Sequence, residues 1–210
     1  GSRSGNIRAG LGTILKTGDY LPYASPVNVK ISAIKMRNYT NCNKIRLISG
    51  PQTRLFSKKI FENFLKTEFT ITSSRDRMGI RLGHQGKKFD TKSGLNVLSE
   101  AIEIGDIQID GQGVPTILLN DRQPTGGYPR IATVISADLH KVAQIGVNST
   151  FKFTLVSLNE AIKALKDFTD ELSDLENEVF NLTRDPSDID NLLSYGLIDG
   201  AIRGDEYEES

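Results

Sequence analysis

The 210 residues, 38% hydrophobic and 25% charged, are enough to bury a full core and suit one or two domains of an ordinary soluble protein. No apolar run approaches the roughly 20 residues of a membrane helix, and the one cysteine, Cys42, excludes an internal disulfide and a cysteine metal cluster. A reducing cytoplasm is the expected location. The net charge of zero hides an asymmetry: 22 Lys and Arg stand against 11 Asp and Glu up to Asn159, then 4 against 15 from Glu160 onward. A basic body with an acidic tail can mark a nucleic-acid surface masked in cis. Here the basic residues are dispersed and carry no nucleic-acid-binding motif, which favours a solvated surface beside a separate acidic helical tail. Neither nucleic acid nor a membrane is an expected partner.

Strand patterns dominate the first three quarters. Residues 44–49 (KIRLIS) and 68–73 (EFTITS) read as strands, with Phe69 and Ile71 on one face of the second. Gly50, Pro51 and Gln52 follow the first strand directly, as a mouth loop or a plain turn. Residues 57–65 place Ile60, Phe61, Phe64 and Leu65 on one face of a short helix. Residues 74–82 (SRDRMGIRL) then bring Arg75, Arg77 and Arg81 within seven positions around Asp76 and Gly79. In extended structure the three arginines face one side. They suit a carboxylate or another oxyanion, or else form a charged hairpin on a barrel rim.

Between Ile102 and Ile109 the apolar phase slips at Gly105 and Asp106, which suggests a bulge or a corner of a closed barrel. A strand at 115–119 (PTILL) and another at 131–135 (IATVI) bracket the most polar turn of the chain. That turn holds Asp121, Arg122, Gln123 and Thr125 beside Gly126, Gly127 and Tyr128. Paired glycines let backbone approach a bound group and present unhindered N–H donors. Residues 138–145 read as a helix with Asp138 as cap and Gly146 as stop, and Phe151, Phe153 and Leu155 alternate as a last strand.

Ser157 and Glu160 form a capping box. Leu158, Ile162, Leu165, Phe168, Leu172, Leu175 and Val179 then recur at three or four residues, which predicts one amphipathic helix of about six turns. The stripe docks on the barrel or on a partner. Asp185-Pro186 ends it, a short second helix runs to Leu193, and the stretch after Gly204 is expected to be disordered. The fold class is therefore mostly β, of mixed α+β type: a β-barrel with two short helices and a C-terminal acidic helical tail. His84 and His140 lack a second ligand type at metal spacing, so no metal site is expected. There is no GxSxG, P-loop or strand-borne GxGxxG.

The motifs DRMGIRL, AIEIGDIQIDGQGVPTILLNDRQPTGGYPRIATVISADL and FKFTLVSLNEA resemble the biotin-dependent carboxyltransferase family. Its members include allophanate hydrolase subunit 2, the C-type subunit of 5-oxoprolinase and the antagonist of the sporulation kinase inhibitor KipI. The opening GSRSGNIRAGLGTILKTGDYLP resembles the family too, so Gly1 and Ser2 read as native sequence, and the likeness extends to about Ala164. The resemblance implies a cyclophilin-like barrel over 41–160, preceded at 1–40 by the end of a missing upstream domain and followed at 161–210 by the acidic helix and tail. It also implies part of an ATP-dependent, amide-processing complex, of urea carboxylase or 5-oxoprolinase type, that acts beside a KipI-like sister subunit. Biotin would arrive on a separate carrier domain, and ATP would be used by partner subunits and not bound here.

Carboxyl transfer needs donors for the charge that develops on the ureido oxygen and a grip on the acceptor amide. By chemistry and motif match, the catalytic candidates are Asp121, Arg122, Gln123 and Tyr128. The substrate-binding candidates are Thr125, Gly126, Gly127, Arg77, Arg81 and Gln52. The other expectation open to this sequence is a non-catalytic regulatory module that engages a KipI-like partner.

Overall fold

The computed structural model describes residues 12–22, 32–34, 43–91 and 94–181. The chain divides into two compact units, Ile34–Val179 and the pair of segments Gly1–Ala33 and Phe180–Ser210. In the second unit β1 (Ser32–Ala33) pairs antiparallel with β11 (Phe180–Asn181). Cys42, the expected helix before Leu193 and the stretch after Gly204 lie outside the described residues.

The larger unit is a mixed α/β body built on a closed barrel. Its strands are β2 (Lys44–Ile48), β3 (Glu68–Arg75), β4 (Gly79–His84), β6 (Asp106–Ile109), β7 (Pro115–Leu118), β9 (Arg130–Val134) and β10 (Thr150–Leu155). The order around the barrel is β10-β2-β9-β6-β7-β4-β3. Every pairing is antiparallel except β10 with β2, whose parallel ladder sets Phe153 beside Ile45. Period-two alternation sends one side of each strand inward: Ile45 and Leu47 from β2, Phe69 and Ile71 from β3, Ile80 and Leu82 from β4, Ile107 and Ile109 from β6. Closure leaves none of these strands with an open edge.

Helix α1 (Lys58–Lys66) begins as its sequence predicts, with the Ser57 hydroxyl accepting from the Ile60 N–H at 3.3 Å. It buries Phe64 against Phe69, Phe89 and Phe153, with ring centroids 5.0–5.2 Å apart. Rings at that spacing add about 0.5–1.5 kcal/mol per pair beyond their area burial. Helix α2 (Leu139–Gln144) departs from expectation at its start. Asp138 makes no side-chain cap, because its carboxylate is taken by the Arg46 N–H, the Arg46 guanidinium and Lys141 at 2.7–2.9 Å. The charged partners outcompete the cap.

Helix α3 (Leu158–Asp174) carries the predicted capping box but is shorter than six turns. It tightens into a 3-10 turn over Leu175–Glu178, so Val179 lies beyond the helix. Among the described residues there are three α-helices, the two short ones and the first part of the expected acidic helix, and α3 packs on the barrel. The docked residues are Ala161, Ala164 and Phe168, against Ile135, Ala137, Ile48 and Val156. Leu158, Ile162, Leu165 and Leu172 remain exposed. Small side chains let the helix axis approach closely, and the larger neighbouring stripe then stands to one side.

The phase slip at Gly105 is a corner. Ile102 and Ile104 belong to no barrel strand, and Gly105 turns into β6 with φ +89, where a Cβ would stand 2.9 Å from the Val134 carbonyl oxygen. The bulge sits on the neighbouring strand: Ala132 pairs with Ile107 and Arg130 with Gln108, which skips Ile131. Ile131 and Ala132 both enter the core, and the bulge re-aims Arg130 to the outer face.

Candidate functional site

The outer face of β6 is where this barrel departs from a solvated one. Ile107 and Ile109 point inward, so Asp106 and Gln108 face out, yet both are buried, at 4% and 5% exposure. A strap covers them. It consists of β5 (Glu100–Ala101) and β8 (Thr125–Gly126), a two-residue antiparallel ladder separate from the barrel. The strap is extended by the bonds Ile102 N–H to Pro124 O at 3.2 Å and Val97 N–H to Gly127 O at 2.9 Å.

Arg130 anchors the strap from below. Its guanidinium donates to the Ala101 carbonyl at 2.8 Å, to Glu100 at 2.7 Å, to Asp106 at 3.2 Å and to the Gln52 carbonyl oxygen at 3.2 Å. Gln52 is itself buried; its amide also accepts from the Arg130 N–H at 2.9 Å and donates to Glu100 at 2.8 Å. Asp106 accepts further from the Thr133 hydroxyl at 2.6 Å and the Glu103 N–H at 2.9 Å. Such a network rigidifies what it holds, because each charge keeps its partners in a low dielectric. Gln108 lies beneath Gly126, so close that a Cβ there would fall 2.3 Å from Gln108 Nε2. A side chain there would displace the Gln108 amide.

The predicted residues fall into two neighbouring groups and one outlier. Asp121 and Arg77 meet: Arg77 Nε lies 2.9 Å from Asp121 Oδ2, Arg77 Nη2 3.1 Å from Oδ1, and the Asp121 N–H donates to the Arg77 carbonyl at 2.9 Å. The DRMG turn and the NDR turn are thereby locked together. Arg122 turns the other way, to the Ile102 carbonyl and Glu103, both at 3.1 Å. Thr125, Gly126 and Gly127 build the strap, and Gln52 joins them through Glu100. Gln123 and Tyr128 are exposed.

Arg81 is the outlier. It pairs with Asp110 and donates to Gln112 at 3.1 Å, while Arg75 reaches the Ala143 and Ile145 carbonyls at the end of α2, both at 2.8 Å. The three arginines therefore do not converge on one anion; each has its own acceptor, because the register shift in β3 between Ile71 and Arg75 breaks the common face.

Sequence reasoning missed Asp106, Gln108, Arg130 and Glu100. A signal existed in the run Asp106 to Ile109, where polar residues alternate with core isoleucines, but polar outward positions on a barrel strand ordinarily mean solvent. The two half-buried histidines pack against aromatic rings: His84 lies tilted at 41° to Phe89 with centroids 4.8 Å apart, and His140 stacks on Phe168 at 4.5 Å. Among the described residues no His, Cys, Asp and Glu cluster suits a metal ion, and no helix is long and apolar enough to cross a membrane.

Comparison with known proteins gives this geometry its context. The model of the family described as carboxyltransferase domain, subdomain A and B, matches residues 1–155. The C-type subunit of 5-oxoprolinase from Haemophilus influenzae is 39% identical over 170 residues, covering 77% of this chain and 53% of that protein. Its counterpart of the same name from Escherichia coli is 34% identical over 171 residues, covering 80% and 54%. The chain thus spans about half the length of the curated relatives it matches. The crystal structure of the Kluyveromyces lactis urea amidolyase superposes with a TM-score of 0.58 at 22% identity, covering 68% of this chain and 10% of that one, which shows a shared fold. With a family match across most of its length and two 5-oxoprolinase homologues above 30% identity, the chain belongs to the carboxyltransferase domain, subdomain A and B, family.

Proposed function

We propose that this chain is the carboxyltransferase component, of the C type found in 5-oxoprolinase, in a cytoplasmic, ATP-dependent assembly that processes a small amide, 5-oxoproline or urea, beside a KipI-like sister subunit. The observation that carries the proposal is the interlock of the two motif turns by Arg77 and Asp121, within the residues matched to the family. In this reading the barrel is cyclophilin-like and ATP is consumed on the partner subunits.

The turn residues suit a neutral, planar ureido or amide group. Asp121 and the Gln123 carbonyl oxygen are acceptors for its N–H groups; Arg122 and the Gly126–Gly127 backbone are donors for its oxygen. Each arginine of the two turns already has a carboxylate, Asp121 for Arg77 and Glu103 for Arg122, so the surface has no excess of positive charge to select an anion. Biotin on a carrier domain fits this donor and acceptor set and would supply a ureido nitrogen that transports CO2. The chain's own part is to orient the acceptor amide, exclude water with the strap and meet developing negative charge with a guanidinium that Ile102 and Glu103 hold in place. Tyr128 and Thr125 flank that surface as stacking and hydroxyl groups.

Purification with the sister subunit and an assay of ATP-dependent 5-oxoproline hydrolysis test the proposal. Arg122→Ala is expected to reduce turnover by about two to three orders of magnitude, the range for loss of a transition-state donor, and Asp121→Ala, which removes an acceptor for the substrate N–H, is expected to reduce it by at least about tenfold. Unchanged turnover in both removes the turn from the site. Tight association without turnover of any amide supports the regulatory binding module instead.

A further inference from the structure

Beneath the strap, one group has no use in the network around it. Gln108 Nε2 is buried and has no hydrogen-bond partner among the described residues. Buried donors are matched in the great majority of cases, so an unmatched one calls for a reason. Its neighbours are occupied: Arg130 is committed to Ala101, Glu100, Asp106 and Gln52, and Gln52 to Arg130 and Glu100. Above Nε2 stand Gly126, where a side chain would displace the Gln108 amide, and Ile102, whose methyl groups would lie 3.4 Å from a Cβ on Gly126. The cradle therefore has an apolar wall, a bare backbone and an amide donor aimed at it. The cover is a short ladder that belongs to no larger sheet, and lifting it means opening the bonds of Arg130 and Gln52 to Glu100 and Ala101.

We propose that Gln108 is a specificity-determining residue: when the strap lifts, its amide N–H groups take the carbonyl oxygen of a planar amide, whether a lactam, a carboxamide or a ureido ring. This deepens the amide-processing function proposed above and rests on it. An amide carbonyl is the matching ligand for two reasons. Nε2 is a neutral donor, and the buried carboxylate of Asp106 already pairs with the Arg130 guanidinium beneath the strap, which leaves no uncompensated positive charge to favour an anion at that point. A ligand carboxylate, where there is one, stays outside the strap. A site built to bond a carbonyl rejects an analogue that lacks it, because its own donor is then left buried and unmatched.

The test follows the side-chain amide resonance of Gln108 in the 15N-labelled full chain, assigned with Gln108→Leu, during titration with 5-oxoproline, urea, 2-imidazolidone and proline. The first three present the lactam, free urea and biotin-like ureido forms of the carbonyl, and proline lacks it. At least one of the three is expected to shift the resonance saturably, and proline is not. In Gln108→Leu, affinity for that probe falls about tenfold or more, while the melting temperature is unchanged or higher, because an unmatched polar group has been replaced by an apolar one. Gly126→Ala, whose Cβ would displace the Gln108 amide, loses the same binding. If none of the three probes moves the resonance, or Gln108→Leu binds as well as the parent, Gln108 is not the specificity residue. The assembly with the sister subunit separates this from the broader proposal. ATP-dependent 5-oxoproline turnover with an unaltered KM in Gln108→Leu overturns the role of Gln108 alone. A saturable shift at Gln108 without turnover of 5-oxoproline or urea overturns the broader function alone.

Discussion

Asp138 and Asp121 are both aspartates held by arginine, and they illustrate opposite roles. The Asp138 side chain is 1% exposed and serves four donors on Arg46 and Lys141. Burial by itself would raise its carboxyl, but the hydrogen bonds from Arg46 and Lys141 together outweigh that and hold it below the ordinary carboxylate range. A group with a depressed folded value stabilises the fold above the unfolded value of 3.8 and loses that contribution as pH falls through the lower folded one. Asp138→Ala should cost about 2–3 kcal/mol in a urea titration at neutral pH, less than a fully buried pair, because the 37%-exposed Arg46 can turn to water. The difference from the parent protein should shrink below pH 3.8. A constant difference down to the lowest pH would show that packing, not charge, is what the variant loses. Asp121 by contrast faces an Arg77 that is 65% exposed, and an ion pair that open contributes under about 1 kcal/mol. Asp121→Ala should therefore leave stability nearly intact while turnover in the assembly falls.

At the scale of elements, α3 meets the body through a stacked pair, His140 of α2 on Phe168, with ring planes 1° apart. Burial first, then the Lys141 charge, lowers the His140 value below 6.5, with Asp138 opposing. Arg46, Asp167 and Glu171 line the same small cavity. A histidine depressed in the folded state stabilises the fold above its unfolded value and loses that stability as pH falls through the folded one. Unfolding midpoints should therefore decline below pH 6.5. His140→Phe, which keeps the stack and cannot titrate, should flatten that decline. An identical pH profile would show that His140 does not couple protonation to folding. The same helix shows what the sequence makes legible. Ser157 and Glu160 announce its start through local hydrogen bonds that need no tertiary partner, and the barrel strands announce themselves by alternation. The docked face was hidden because Ala161 and Ala164 carry little hydrophobic weight beside Leu158, Ile162 and Leu165, although close approach selects the smaller side chains. Part of the site was hidden for a related reason. Asp121, Thr125 and Gly126 stand out in a polar turn, but Arg130 and Gln108 look like solvent-facing strand residues until the strap covers them and the Ile131 bulge re-aims Arg130.

For the larger unit, Ile34–Val179, as a whole, the barrel interior and the candidate site occupy opposite sides of one layer of strands. The interior is a continuous apolar cluster, and β10 closes the ring on β2 across most of that unit's length. The site lies outside, on β6, β9, the strap and the two turns joined by Arg77 and Asp121. A wall of strands that is rigid by closure holds the site residues in fixed geometry without sharing side chains with them. Stability and activity should then separate by side. Phe64 is fully buried where α1, β3 and β10 meet, and removing its ring leaves a cavity between Phe69, Phe89 and Phe153 that these stiff aromatics refill poorly. Phe64→Ala should cost about 3–5 kcal/mol, read as a lower denaturant midpoint with an unchanged slope. Where the variant remains folded, the outer face should be intact, so specific activity per folded molecule in the assembly should match the parent. Asp121→Ala should show the reverse, a midpoint near the parent and a loss of turnover. If Phe64→Ala lowers activity per folded molecule as far as Asp121→Ala does, the interior and the strap are one cooperative unit, and the strand wall does not insulate the site from the core.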